Sequence, residues 1–503
     1  MMTITFIAWF ALLFLGVPVG YSLIAASLFY FLASGNLFLI PYAVEQMLEG
    51  TNNFILLAVP FFVLTGNLMN GGGITERIFA FAKTLVGHRK GGLAHVNIMA
   101  SLIFSGMSGS ALADAGGLGQ LEIKSMRDEG YDDAFSGGIT AASCIIGPLV
   151  PPSTSLIIYA LVSNQSVHRL FIAGFVPGVL TALALMIMSS ILSHRRNYPV
   201  GERSNLKQKA VAFRKAILAL MTPVIILGGI FSGIFTPTEA AVIAAAYSII
   251  VGATVYRELN LRKFFDIVLD SVKTTGTIFL MILGISLFQW IIARERMPIR
   301  LAETMLVYVD NPLVLLLTIN VILLLLGAVI DALPLLIVLV PVLLPTVLQV
   351  GIDPVHFGIV VVFNLMIGIL TPPMGTALFV VSRVGNIPYK TLVRGTVPFL
   401  IPLFITLILL TVFPQMVLFL PNLLGGGWYE ARRHRRLGRG AGCPEGCLSG
   451  FGERRFGGYR PRGPRRLGGG RARGSRLRRR RGDLFEADRG LAPAARADRK
   501  SVV

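Results

Sequence analysis

Two clusters of helix-breaking and hydroxyl-bearing residues stand out in an otherwise apolar chain. The first runs Ser105-Gly106-Met107-Ser108-Gly109-Ser110 and resumes, after a charged turn, at Gly147 and Pro151-Pro152-Ser153. The second spans Gly327 to Asp331 and resumes at Gly368 and Thr371-Pro372-Pro373-Met374-Gly375, with Asn364 in the segment before it. Glycine and proline interrupt helices. An interrupted helix offers free carbonyl oxygens, which suit a hard cation such as Na+, and free N–H groups, which suit a carboxylate. The serines at 105, 108, 110 and 153, with Thr154, Ser155, Thr371 and Thr376, add hydroxyl oxygens. Each hydroxyl has a structural alternative, a bond back to its own helix. Asp114 and Asp331 are functional candidates as acids in apolar surroundings, and equally candidates for helix N-caps. Metal-ligand spacings, phosphate-cradling loops and nucleophile constellations are lacking, so enzyme chemistry has no foothold.

The two clusters are copies of one another. At a constant offset of 221, Gly130, Asp132, Gly137, Gly147, Pro151, Pro152, Gly174 and Pro177 fall on Gly351, Asp353, Gly358, Gly368, Pro372, Pro373, Gly395 and Pro398, and Gly106 falls on Gly327. Only 11 of the 48 positions from 130 to 177 are identical, but seven of those are Gly or Pro. A duplicated pair of Gly/Pro-interrupted apolar segments points to the binding site of a secondary transporter.

With 54% hydrophobic and 14% charged residues, the chain belongs in a membrane. Apolar runs amount to about a dozen segments that cross or enter ~30 Å of hydrocarbon. The run at 3–33 is read as one retained helix, since it lacks a basic leader and a small-residue cleavage site. The net charge of +20 does not signal nucleic acid: residues 427–503 hold 22 Lys and Arg against 7 acids, leaving the body near +5. The lone body cysteine, Cys144, gives no disulfide or metal framework.

Basic loops mark the cytoplasmic side. Lys83–Lys90 and His194–Lys215 therefore lie inside, as do Arg257, Arg262, Lys263, Arg383, Lys390 and Arg394. The segment 34–51 and the turn at 346–355 lie outside, and the turn at 122–133 lies inside. The first hairpin thus opens inward and the second outward, as an inverted repeat requires. The connection from Arg294 to Arg300 fits this map poorly. Thr236-Pro237-Thr238-Glu239 reads as a capping box opening a helix, and Gly16-Val17-Pro18 is its first-half counterpart.

These motifs, together with Thr236-Pro237-Thr238-Glu239-Ala240-Ala241, Pro341 and Pro345, occur in an order that resembles the large membrane subunit of tripartite ATP-independent periplasmic (TRAP) transporters, the DctM-like family, over residues 1–424. The resemblance implies an all-α polytopic fold with an inverted-topology repeat, two re-entrant hairpins and two broken helices. It implies Na+-coupled import of organic anions (C4-dicarboxylates, sialic acid or similar carboxylates) across the bacterial inner membrane by an elevator movement. Its implied partners are a small four-helix membrane subunit and a periplasmic solute-binding protein, with Na+ as coupling ion and no other cofactor. By motif match, Ser105–Ser110, Gly147–Ser153, Gly327–Asp331 and Gly368–Gly375 line the Na+ and substrate sites. The alternative is a stand-alone Na+/dicarboxylate symporter; a non-transporting scaffold or intramembrane enzyme is more distant.

The chain then divides into N-terminal scaffold-like helices (1–91), a first transport half (92–193), a basic linker (194–215), second-repeat scaffold-like helices (216–311), a second transport half (312–426) and an Arg/Gly-rich tail (427–503) that departs from the family. The tail has the composition of GC-rich coding text read in a shifted frame. Its functional alternative is a basic segment held by anionic membrane lipid.

Overall fold

The computed structural model describes residues 2–297 and 311–424, and all regular elements among them are helical. The tail and part of the Arg294–Arg300 connection lie outside the described residues. Among the described residues, seven helices have the length and apolar character to cross a membrane: Phe54–Gly71, Val167–Arg195, Leu206–Phe231, Pro237–Val255, Leu261–Arg294, Ala332–Gln349 and Tyr389–Val412. Shorter apolar helices such as Gly92–Ser108, Thr154–Ser163, Pro312–Gly327 and Thr376–Gly385 are the limbs of interrupted segments.

The duplication read from Gly and Pro recurs in the backbone. Helices start at Ala111 and Ala332, and at Asp133 and Pro354, each pair 221 apart. The peptide bonds Pro151-Pro152 and Pro372-Pro373 are both cis, and Gly130 and Gly351 both have positive φ. Asp132 and Asp353 cap equivalent helices, accepting from the Phe135 amide at 2.8 Å and the Val355 amide at 2.7 Å. Each repeat also has a polar seam between its hairpin and its broken helix. In the first, Asn97 donates to Glu122 (2.8 Å) and Thr140 (2.7 Å), while Ser143 donates to Asn97 and Ser101 to Ser143. In the second, Asn364 donates to Asn320, which donates to Thr411 at 2.9 Å.

The inversion follows from where the two hairpins end. Val167–Arg195 is 29 residues long, about 43 Å at 1.5 Å per residue, more than the hydrocarbon thickness. Near its start Arg169 faces Asp353, at the foot of the second hairpin, at 3.9 Å. Just past its end Arg196 pairs with Asp132, at the foot of the first, at 2.8 Å. The two feet therefore lie at opposite ends of a membrane-length helix. Both arms of the first hairpin reach the same end: the Gly91 amide bonds the Pro199 carbonyl, and Lys83 pairs with Glu129 at 2.7 Å.

Three sequence expectations change. The run at 3–33 is two helices, Met2–Phe14 and Val19–Ser34, because Gly16 turns left-handed (φ 82°) and Pro18 lacks the N–H a continuing helix would use. The linker is shorter than 194–215, since Asn205 and Gln208 form a capping box that opens a helix at Leu206. Basic residues on its first turns hide that helix from a charge-based reading. Finally, Glu122 is buried within Gly119–Asp128 and does not belong to the charged turn.

Candidate ion and substrate site at the hairpin tips

At the first tip, helix Gly92–Ser108 ends where Gly109 turns left-handed (φ 59°), and Ser110 caps the next helix by accepting from the Ala113 amide at 3.4 Å. The tip rests on the break at 147–153. Thr154 donates to the Gly109 carbonyl from its amide at 3.3 Å and from its hydroxyl at 3.1 Å. A Cβ on Gly109 would stand 2.0 Å from the Pro152 carbonyl oxygen, and one on Gly147 would stand 3.4 Å from the Ser110 backbone. At Gly109 only glycine lets backbone meet backbone, whereas at Gly147 the approach is an ordinary contact.

The hydroxyls divide into two kinds. Ser105 donates to the Leu102 carbonyl at 2.6 Å, and Ser153 donates to the Pro148 carbonyl at 2.5 Å while capping the helix that begins at Thr154. Both follow the structural alternative. Among the described residues the Ser108 hydroxyl is buried without a hydrogen-bond partner, and the buried Asp114 carboxylate has the Ser101 hydroxyl beside it. Asp114 is not a cap, because Ser110 holds that position. Buried oxygens lacking donors are costly, and a bound cation relieves that cost. Gly106 has a different role: a Cβ there would meet Pro223 at 2.9 Å, so it lets the hairpin pack closely on Leu206–Phe231.

The second tip is built alike with different side chains. Gly327 and Gly368 touch backbone to backbone, a Cβ on Gly368 falling 2.9 Å from the Gly327 Cα. The Met374 amide donates to the Ala328 carbonyl at 3.0 Å. Asp331, at the N-cap position of Ala332–Gln349, accepts from the Thr376 hydroxyl at 2.9 Å, tying tip to break. Thr371 bonds back to the Ile367 carbonyl, and Gly375 takes a left-handed conformation before the helix starting at Thr376. Asn364 belongs to the seam, although its Oδ1 remains unpaired. The first break is buried throughout, whereas Pro372, Pro373 and Met374 are exposed. The Tyr389 hydroxyl donates to the Pro373 carbonyl at 3.1 Å, on the side of basic Lys390 and Arg394.

The limb following the second break packs on the first hairpin, where a Cβ on Gly385 would touch Ile123 at 2.7 Å. Sequence reading missed Asn97, Ser101, Glu122, Thr140, Ser143, Asn320 and Thr411. For Asn97 with Ser101, and for Thr140 with Ser143, the signal was a polar residue three or four positions from another within an apolar run.

Residues 6–416 match the family of the tripartite ATP-independent periplasmic transporter, DctM component. This chain belongs to that family. It is 59% identical over 418 residues, 83% of this chain and 98% of the relative, to the sialic acid TRAP transporter large permease protein SiaM of Vibrio cholerae. It is 54% identical over 422 residues, 84% of this chain and 68% of the relative, to the sialic acid TRAP transporter permease protein SiaT of Haemophilus influenzae. Among solved structures, the YdaH transporter of Alcanivorax borkumensis shares the fold: TM-score 0.53 at 14% identity, covering 79% of this chain and 90% of that one. The DctM-family chain is thus a multi-pass membrane permease and not an enzyme.

Proposed function

We propose that this DctM-family chain carries an organic acid anion, with sialic acid the foremost candidate, into the bacterial cytoplasm coupled to Na+. It acts in the inner membrane as the large subunit beside a small four-helix membrane subunit and a periplasmic binding protein. The substrate choice rests on the sialic acid names of the 59% and 54% identical relatives. The single observation supporting ion coupling is the pair of tips where backbone carbonyls and buried oxygens gather, the unpaired Ser108 hydroxyl and the Asp114 carboxylate foremost.

Na+ at the breaks offsets the charge of Asp114 and Asp331 and makes the site hospitable to a carboxylate, which the positive dipole ends of the helices starting at Thr154 and Thr376 favour. Inward Na+ movement supplies ~2.3 kcal/mol per charge per 100 mV. An elevator movement is supported by the amphipathic helix Ile74–Val86, which is tied at one end to Glu258 through Arg77 (2.9 Å) and at the other to the hairpin foot through Lys83.

The test is uptake of labelled sialic acid into proteoliposomes holding this chain and its small subunit, under an inward Na+ gradient, with the binding protein added or omitted. Uptake requiring both supports the reading. Uptake without the binding protein indicates a stand-alone symporter, and uptake without Na+ removes the ion sites.

A further inference from the structure

Ile74–Val86 buries Ile74, Thr75, Ile78, Phe79 and Ala82 and turns Glu76, Ala80 and Lys83 outward. Between that outer face and the first turns of Leu206–Phe231 runs an open groove of about 600 Å³. Its walls carry Arg77, Lys207 and Lys215 with the single acid Glu76, and its floor is apolar at Val211 and Ala212. Arg77 is committed to Glu258 and lies 3.9 Å from the Tyr256 ring centre. Lys207 and Lys215 are exposed and lack an ion pair among the described residues, and so are available to an anion.

The groove's level in the membrane follows from its neighbours. The helix that forms one wall ends at the Lys83–Glu129 pair, beside the basic loops at 83–90 and 194–205. Past Lys215, the helix starting at Leu206 exposes Ile217 (39%), Met221 (39%) and Val224 (57%). Cations at the inner interface above an exposed apolar flank complement both halves of a negatively charged lipid. A water-soluble anion would have no use for that flank.

We propose that this groove binds an anionic phospholipid of the cytoplasmic leaflet, its phosphate held by Lys207 and Lys215 and its acyl chains laid along the flank from Ile217 to Val224. A lipid there is wedged between the scaffold helix and the helix leading to the first hairpin, so its occupancy would bear on how freely that helix tilts.

The test is native mass spectrometry of the purified full-length chain titrated with phosphatidylglycerol or phosphatidylcholine. The wild type should retain phosphatidylglycerol preferentially, and Lys207→Gln/Lys215→Gln should lose about tenfold or more of that affinity. Lys207→Arg/Lys215→Arg should keep it, Glu76→Gln should strengthen it, and the distant Lys273→Gln should leave it unchanged. The Arg-rich tail is common to all variants, so differences between them report the groove. Equal retention of the two lipids by the wild type, or an undiminished preference in the double Gln variant, would overturn the proposal. So would a loss in Lys273→Gln as large as in the double variant.

Discussion

At the residue scale, the two kinds of hydroxyl at the first tip separate the proposed ion ligand from architecture. Ser105 already spends its hydrogen on Leu102, whereas Ser108 has none to give up. Ser108→Ala should therefore leave thermal stability near wild type while raising the Na+ concentration needed for half-maximal uptake several-fold. Ser105→Ala should cost about 1 kcal/mol of stability and leave the Na+ requirement alone. Thermal melts beside Na+ titrations of uptake read both, and equal Na+ curves for Ser108→Ala and wild type would remove Ser108 from the ion site. The glycines allow a parallel contrast. Gly109 and Gly130 both have positive φ, but a Cβ on Gly130 enters open space while one on Gly109 strikes the Pro152 carbonyl. Gly130→Ala should cost only its backbone term, about 1 kcal/mol, with uptake retained. Gly109→Ala should pry the tip from the break and abolish uptake in protein that still reaches the membrane.

At the element scale, the feature that holds the linker is a latch on the first hairpin's foot. Asp132 accepts from Arg196 at 2.8 Å and from the Tyr198 hydroxyl, while the Tyr198 ring stacks on Tyr131 at 4.4 Å. Burial pushes the Asp132 carboxyl up, but the hydrogen bonds from Tyr198, the Phe135 amide and Arg196 outweigh it and hold the group below its ordinary value. A lowered carboxyl contributes stability above its unfolded value and loses it only as pH falls through the lowered one. Protection of the 196–200 amides from hydrogen exchange, corrected for intrinsic rates, should then be equal at pH 7 and pH 5. Asp132→Asn should weaken it at both, and a loss between those pH values in the wild type would count against the latch. The Thr236 cap was legible in the sequence because a cap is a local contract between a side chain and amides two or three residues on, whereas Ser110 and Ser153, read as site hydroxyls, hold the same kind of position. The seam of Asn97, Glu122, Thr140 and Ser143 was not legible, because its partners lie 25 to 46 residues apart and meet only once the hairpin has folded. The start of Leu206–Phe231 was hidden for another reason: a cytoplasmic helix extension carries the same basic residues as a loop.

At the scale of the whole molecule, the inverted repeat is what the proposed alternating opening rests on, and it was legible because breaks need Gly and Pro whatever surrounds them. Its geometry rests on Val167–Arg195, which has Asp353 near one end and Asp132 near the other. The charge distribution says which end is which, since Arg196 lies among the basic loops and the turn at 346–355 has no Lys or Arg. Single cysteines placed in the two turns should therefore react from opposite sides. The native background is permissive within the described residues, because Cys144 is buried; Cys443 and Cys447 of the tail are first changed to serine. Asp128→Cys, at the exposed foot of the first hairpin, should be labelled by a membrane-impermeant maleimide only after the cells are opened. Ile352→Cys, in the turn of the second, should be labelled in intact cells whose outer membrane is permeabilised. Labelling of both from the same side would mean that the two hairpins share an orientation. The alternating opening of the tips would then need a different explanation from the exchange of equivalent halves.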